Sequence, residues 1–292
     1  MEYRDNARID ASEVVYAGNG GSGRRGPGIA LGGGAGILVL LVALLFNVDL
    51  GSLTQGQAPV APQSGTVETP HCQTGADIKQ DRRCRWAAQV NSIQRYWRSA
   101  LPGYKPAKLV IFSGRVSTAC GTAGSEVGPF YCPGDQQVYM DPGFTEMLLK
   151  RLGARGGDAA EAYILAHEYG HHISNLTGTL ARAQSSRQQT GPKSAQTRLE
   201  LQADCYAGVW FANTVKDPNS LIKSVTADDL ERVVDAARAV GDDHIQMQST
   251  GGISPESWTH GSSAMRKYWV TKGFQSGDPN VCDTFSTDNL GE

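Results

Sequence analysis

Between Arg25 and Asp49 the chain carries no charged residue, and the core of that stretch, GIALGGGAGILVLLVALLFNV from Gly28 to Val48, is almost wholly apolar. A helix rising ~1.5 Å per residue needs about 20 residues to cross ~30 Å of hydrocarbon. The run therefore predicts a transmembrane helix over residues 28–48. The competing reading is a cleaved signal peptide, but about 25 mostly polar residues precede the run, and no small-residue cleavage site follows it at the usual distance. Arg24 and Arg25 flank its start and Asp49 its end, which by the positive-inside rule places the N-terminus in the cytoplasm and everything beyond residue 50 outside. The run divides the chain. Residues 1–27 are polar and then Gly-rich, and are expected to be a disordered cytoplasmic tail. Residues 49–70, rich in Gly, Pro, Ser, Thr and Gln, form a flexible linker, and residues 71–292 form the extracytoplasmic domain.

Cysteine usage agrees with that division, because Cys72, Cys84, Cys120, Cys132, Cys205 and Cys282 all follow the run, as in a compartment where disulfides persist. Six cysteines allow 15 pairings and the sequence does not choose among them. Loop closure favours the local pairs Cys72 with Cys84 and Cys120 with Cys132, leaving Cys205 for Cys282, with free buried thiols as the alternative for that last pair. A formal net charge of −2 gives no basic excess of the kind nucleic-acid binders carry, so that class of partner is excluded.

Trp86, Val90, Ile93 and Trp97 recur at helical spacing, predicting an amphipathic helix over 83–101. KLVIF (108–112) and QQVYM (136–140) read as strands, and ACGTAGSEVGPFYC between them as a Gly-rich loop stapled by Cys120 and Cys132. Further helices are expected over 143–152, from Asp158 through the HEYGH segment, over 196–214, over 227–240 with Thr226 as N-cap, and over 262–272. The polar stretch 182–196 reads as a surface loop. The fold class expected is α+β, mostly helical with a small sheet.

The segment AYILAHEYGHHIS (162–174) carries the chemistry. His167 and His171 are four apart, so on a helix both imidazoles leave one face and reach one cation. Glu168 lies one step round, positioned to take a proton from a water on that cation, as H-E-x-x-H metalloproteases require. In RLELQADCYAG, Glu200 and Asp204 repeat the four-residue spacing. Glu200 would complete a His₂Glu zinc site, while Asp204 accepts a hydrogen bond from a ligand histidine and fixes its tautomer. Those carboxylates stand among Leu199, Leu201, Ala203, Tyr206, Ala207, Val209 and Trp210, so a solvated charged face is disfavoured. His172 points about 100° away from His171, which suits packing or a carbonyl hydrogen bond rather than the metal. His71 and His244 have no supporting context and are assigned to the surface.

HEYGH followed about thirty residues later by ELQAD resembles the gluzincin arrangement. CGTAGSEVGPFYCPGDQQVYMD, AHEYGHHI, ELQADCYAGVW and THGSSAMRKYWVTKGF together resemble the putative neutral zinc metallopeptidase family, membrane-anchored zincins of bacteria, over roughly residues 72–285 and the Gly-rich anchor. The resemblance implies a zincin-like domain with one Zn²⁺ per chain, held by His167, His171 and Glu200, and Glu168 as general base. It implies that QQVYM is the sheet edge to which an extended peptide adds. It also makes His260, just before the last helix, the candidate donor to the oxyanion of the tetrahedral intermediate. Arg266 is a candidate partner for Asp204 or another carboxylate nearby.

The resulting expectation is a zinc-dependent endopeptidase in the bacterial cell membrane, acting on a peptide or protein and attached by a single N-terminal helix. The rival is a non-catalytic zincin-like scaffold of the envelope with a structural metal. Glu168 argues against the rival, because structural zinc prefers four protein ligands and a closed site.

Overall fold

The computed structural model describes residues 1–17 and 70–292. The expected membrane helix (28–48), the rest of the tail (18–27) and all of the linker but Pro70 lie outside the described residues. Among the described residues, no helix is long and apolar enough to cross a membrane.

The strands are β1 (Glu2–Tyr3), β2 (Val14–Tyr16), β3 (Leu109–Ile111), β4 (Arg115–Thr118), β5 (Gly121–Gly124), β6 (Phe130–Cys132), β7 (Gln137–Met140) and β8 (Ile222–Ser224). The helices are α1 (Cys84–Ala100), α2 (Pro142–Arg151), α3 (Asp158–Leu176), α4 (Thr179–Gln184), α5 (Ala195–Thr214), α6 (Ala227–Ala239), α7 (Asp242–Thr250) and α8 (Ser263–Ser276). The class is α+β, with a small sheet among helices. Local chemistry accounts for several boundaries. Asp141 caps α2 by accepting from the N–H groups of Gly143 and Phe144, Ser194 caps α5, and Thr226 with Asp229 forms a capping box on α6.

The main sheet has the order β2-β3-β7-β6, with β2, β3 and β7 parallel and β6 antiparallel to β7. QQVYM is therefore an interior strand, contrary to expectation, and FYC (β6) takes the edge. The sequence hid this because the segment read as a Gly-rich loop is structured. Its first part, β5, pairs antiparallel with β4 in a hairpin, and its last three residues are β6.

Residues 1–17 also depart from the disordered tail expected of them. Val14, Val15 and Tyr16 pair with Leu109, Val110 and Ile111, β1 pairs with β8, and Ile9 and Val14 are buried in the main core. Their few apolar residues suffice because the rest of the core is supplied from residues far along the chain. All three disulfides join the pairs that loop closure favoured, Cys72 to Cys84, Cys120 to Cys132 and Cys205 to Cys282.

The sheet, α3, α5 and α8 stack in that order, with α3 against β6 and β7 on one side and α5 on the other. Helices α3 and α5 are buried over most of their circumference, so both their polar residues and their glycines mark special positions. A Cβ on Gly208 would meet the carbonyl oxygen of Val270 at 2.1 Å, and one on Gly273 that of Cys205 at the same distance. These two glycines let α5 and α8 touch backbone to backbone.

Candidate metal centre

His167 and His171 leave α3 on the face turned to α5, one turn apart, and Glu200 leaves α5 towards them. His167 Nε2 lies 3.2 Å and His171 Nε2 3.5 Å from Glu200 Oε2. One ligand atom from each residue falls within 4.8 Å of the others, and among the described residues no other cluster of three such groups does so. A tetrahedral shell at ~2.0–2.1 Å has edges of about 3.3–3.4 Å, so the two distances to Glu200 match a zinc shell, while the two imidazoles stand wider apart than one edge. Among the described residues this cluster could supply three ligands to a metal ion.

The atoms behind the ligands fix their orientation. His167 Nδ1 lies 2.8 Å from Asp204 Oδ1, so a proton on Nδ1 is donated to that carboxylate and Nε2 keeps its lone pair for a cation. Asp204 Oδ1 also accepts from the Tyr163 hydroxyl at 2.5 Å and from Arg266 Nη2 at 2.8 Å, and Oδ2 accepts from Arg266 Nε at 2.8 Å. Arg266 in turn donates to the Val240 carbonyl. Gln196, one turn before Glu200, donates to Glu200 Oε1 at 2.9 Å, leaving Oε2 for the cation.

Electrostatics follow from this packing. Burial opposes charge on Asp204, but the Arg266 guanidinium and His167 together outweigh it and hold the carboxyl at about 2. Burial likewise opposes protonation of His167, and the Asp204 carboxylate beside it reverses the balance and raises its pKa. A metal ion bound there would compete with a proton for the same pocket of negative charge. Glu168 is buried and not hydrogen-bonded to either ligand. Burial raises its pKa, against the lowering pull of His167 and His171, which moves a carboxylate in the direction a general base needs.

His260 sits in the turn before α8, buried, near enough to Glu200 for the two charges to act on each other. Its Nδ1 faces Thr259 Oγ1 at 2.8 Å and Asp242 Oδ1 at 3.3 Å. Asp242 Oδ2 accepts the backbone N–H groups of Thr259, His260 and Gly261 at 2.7, 2.6 and 3.1 Å. One buried carboxylate therefore shapes the whole turn and leaves His260 Nε2 unpaired by the protein. His172 stands apart from the ligands. Its Nε2 bonds the Lys105 carbonyl at 2.6 Å and its Nδ1 the Tyr131 hydroxyl at 3.0 Å, which ties α3 to the edge strand β6. His71 is exposed, whereas His244 is half-buried against the Leu152 carbonyl.

Sequence reasoning missed Tyr163, Gln196 and Asp242. The first two had a signal, since each lies four residues before a ligand on the same helix. Asp242 had none, because only the tertiary fold brings the start of α7 beneath a turn 18 residues on.

The sequence model of the family described as putative neutral zinc metallopeptidase matches residues 1–285. The chain belongs to that family. Among its relatives, the uncharacterized protein Rv2575 of Mycobacterium tuberculosis is 46% identical over 257 residues, covering 85% of this chain and 87% of the relative. The uncharacterized protein YpfJ of Escherichia coli is 37% identical over 297 residues, covering 98% of this chain and 99% of the relative. No solved structure matches the chain. Membership implies zinc, and the His167, His171 and Glu200 cluster is where the family's metal would be held.

Proposed function

We propose that the protein is a zinc-dependent endopeptidase. The observation that carries the reading is the convergence of His167 Nε2, His171 Nε2 and Glu200 Oε2 at coordination spacing, with the buried carboxylate of Glu168 beside them and, among the described residues, no fourth protein ligand. Bound there, zinc would lower the pKa of a water towards ~7 and polarise a carbonyl.

The chain's own groups do the rest. Glu168 takes a proton from the attacking water and passes it to the leaving amine. His260, oriented through Nδ1 by Asp242 and Thr259, presents Nε2 as hydrogen-bond donor to the oxyanion, a contribution of about 3 kcal/mol in comparable sites. Asp204 keeps the His167 tautomer, and Arg266 and Tyr163 keep Asp204 charged and fixed. The substrate class is peptide or protein. Three disulfides support an extracytoplasmic domain, and the uncharged apolar run 28–48 supports association with a membrane.

The test is Glu168→Gln in the full chain, assayed for zinc content and for cleavage of a broad peptide library. The expected result is one zinc per chain in both proteins and a fall in cleavage of about 10²–10⁴-fold in the variant. Zinc-loaded wild type that cleaves nothing, and that the variant matches in every assay, would return the reading to a scaffold.

A further inference from the structure

The N-terminal segment and the metal domain share more surface than a tail would need. Besides its ladder with β3 and the pairing of β1 with β8, residues 1–17 place buried Glu13 against Arg98 at 2.6 Å and Asn91 at 2.6 Å. Backbone bonds run from Ile9 N to Gln73 O, from Gly75 N to Ala7 O and from Arg4 N to Leu221 O, all 2.8–2.9 Å. A Cβ on Gly75 would stand 2.1 Å from the Arg4 carbonyl oxygen, so the two stretches meet backbone to backbone. The Tyr3 hydroxyl accepts from Gln89 Nε2, whose side chain is wholly buried in α1. The family match extends over these same residues.

Removing the segment would leave visible damage. β3 is buried along its length, and without β2 it would become a bare apolar edge, the kind that pairs with other chains. Its ladder N–H and C=O groups, the Glu13 to Arg98 pair and the Gln89 amide would all lose partners.

Hydrogen bonds of about 3 Å cannot be made through ~30 Å of hydrocarbon. An orientation with the N-terminus in the cytoplasm and residues 71–292 outside would set these partners on opposite faces of the membrane. We propose that residues 1–17 occupy the same compartment as residues 70–292, docked on the β3 edge and on β8 as a built-in part of the metal domain. The surface they cover takes this chain's own N-terminal segment. The inference concerns topology alone and stands whether or not the metal centre hydrolyses peptides.

Glu2 and Ser224 are direct partners across β1 and β8, with Ser224 Oγ donating to Glu2 Oε2 at 2.9 Å. Directly opposed residues of antiparallel strands lie within the Cα separation a disulfide spans. Three full-length variants are made in bacterial cells: Glu2→Cys, Lys223→Cys, and Glu2→Cys combined with Ser224→Cys. Lys223 is exposed on β8 and reports the domain's side. A membrane-impermeant maleimide is added to intact spheroplasts before and after permeabilisation. The expected result is that the Glu2→Cys and Lys223→Cys thiols label alike at each stage. The double variant should lose labelling at both introduced cysteines after mild oxidation and regain it on reduction. If Glu2→Cys and Lys223→Cys label at different stages, the shared compartment is overturned. If they label alike but the double variant stays fully labelled after oxidation, the docking is overturned.

Discussion

A Cβ placed on Gly170 would lie 2.8 Å from the Cα of Ala203 and 3.0 Å from its carbonyl oxygen, so at the glycine of HEYGH the helices α3 and α5 touch backbone to backbone. Gly170 stands between His167 and His171 in sequence, and Ala203 one turn beyond Glu200. Their contact sets how far Glu200 Oε2 is from the two imidazoles.

Gly170→Ala should therefore loosen the metal centre. Alanine gains about 1 kcal/mol of helix propensity over glycine, but the obstructing atoms are backbone, and overpacking of this kind costs about 1–3 kcal/mol. The helices must separate, and zinc should bind more weakly. Competition with a chromophoric chelator measures this, and an unchanged affinity would remove the contact from the account.

Ligand assignment is tested by metal stoichiometry. Glu200→Ala deletes one of three ligand atoms and should reduce bound zinc well below one per chain. His172→Ala, which loses the Lys105 and Tyr131 bonds but no ligand, should stay near one. The reverse pattern would mean that the third ligand is misassigned.

Arg266→Met should be among the most damaging single changes away from the ligands. It leaves Asp204 buried with one hydrogen bond fewer to each of Oδ1 and Oδ2 and with only His167 beside it as a counter-charge. Breaking one side of a buried ion pair costs about 3–5 kcal/mol. Urea unfolding of the metal-free protein gives the value, and a loss below about 1 kcal/mol would show that Tyr163 and His167 compensate for the guanidinium.

Asp242 predicts an acid limb. Burial pushes its carboxyl up, but the charge of His260 and the hydrogen bonds from His260 and Thr259 outweigh burial and hold it below the usual range. A carboxyl lowered in the folded state contributes stability that is complete above its unfolded value of about 4, and that is lost as pH falls through the folded value. The stability gap between wild type and Asp242→Asn should thus be widest at neutral pH and narrow below about pH 4. Urea midpoints at pH 7, 5, 4 and 3 check this, and a gap that widens on acidification would reverse the sign of the argument.

How much was legible in the sequence follows from how local each signal is. A helix writes its partners at a spacing of four, so His167 with His171 and Glu200 with Asp204 could be paired by number alone, and loop closure was enough to favour the disulfide partners. Edge and interior strands carry no such mark. QQVYM and FYC are both short and apolar, and only the order β2-β3-β7-β6 decides that FYC is the edge. Asp242 beneath His260 and Arg266 on Asp204 are contacts between elements whose packing no periodicity encodes. The N-terminal segment is the clearest case. Residues 1–17 hold too few apolar side chains to fold alone, and by themselves they read as a tail. They are ordered because β3 offers a buried edge, and Gln89, Arg98 and Asn91 offer partners, from a region some 90 residues later. Chemistry carried by neighbours in sequence was fixed by the sequence. What depended on which distant backbone meets which was settled by the tertiary structure, because hydrogen-bonding edges and buried charges are satisfied by whatever the fold brings to them.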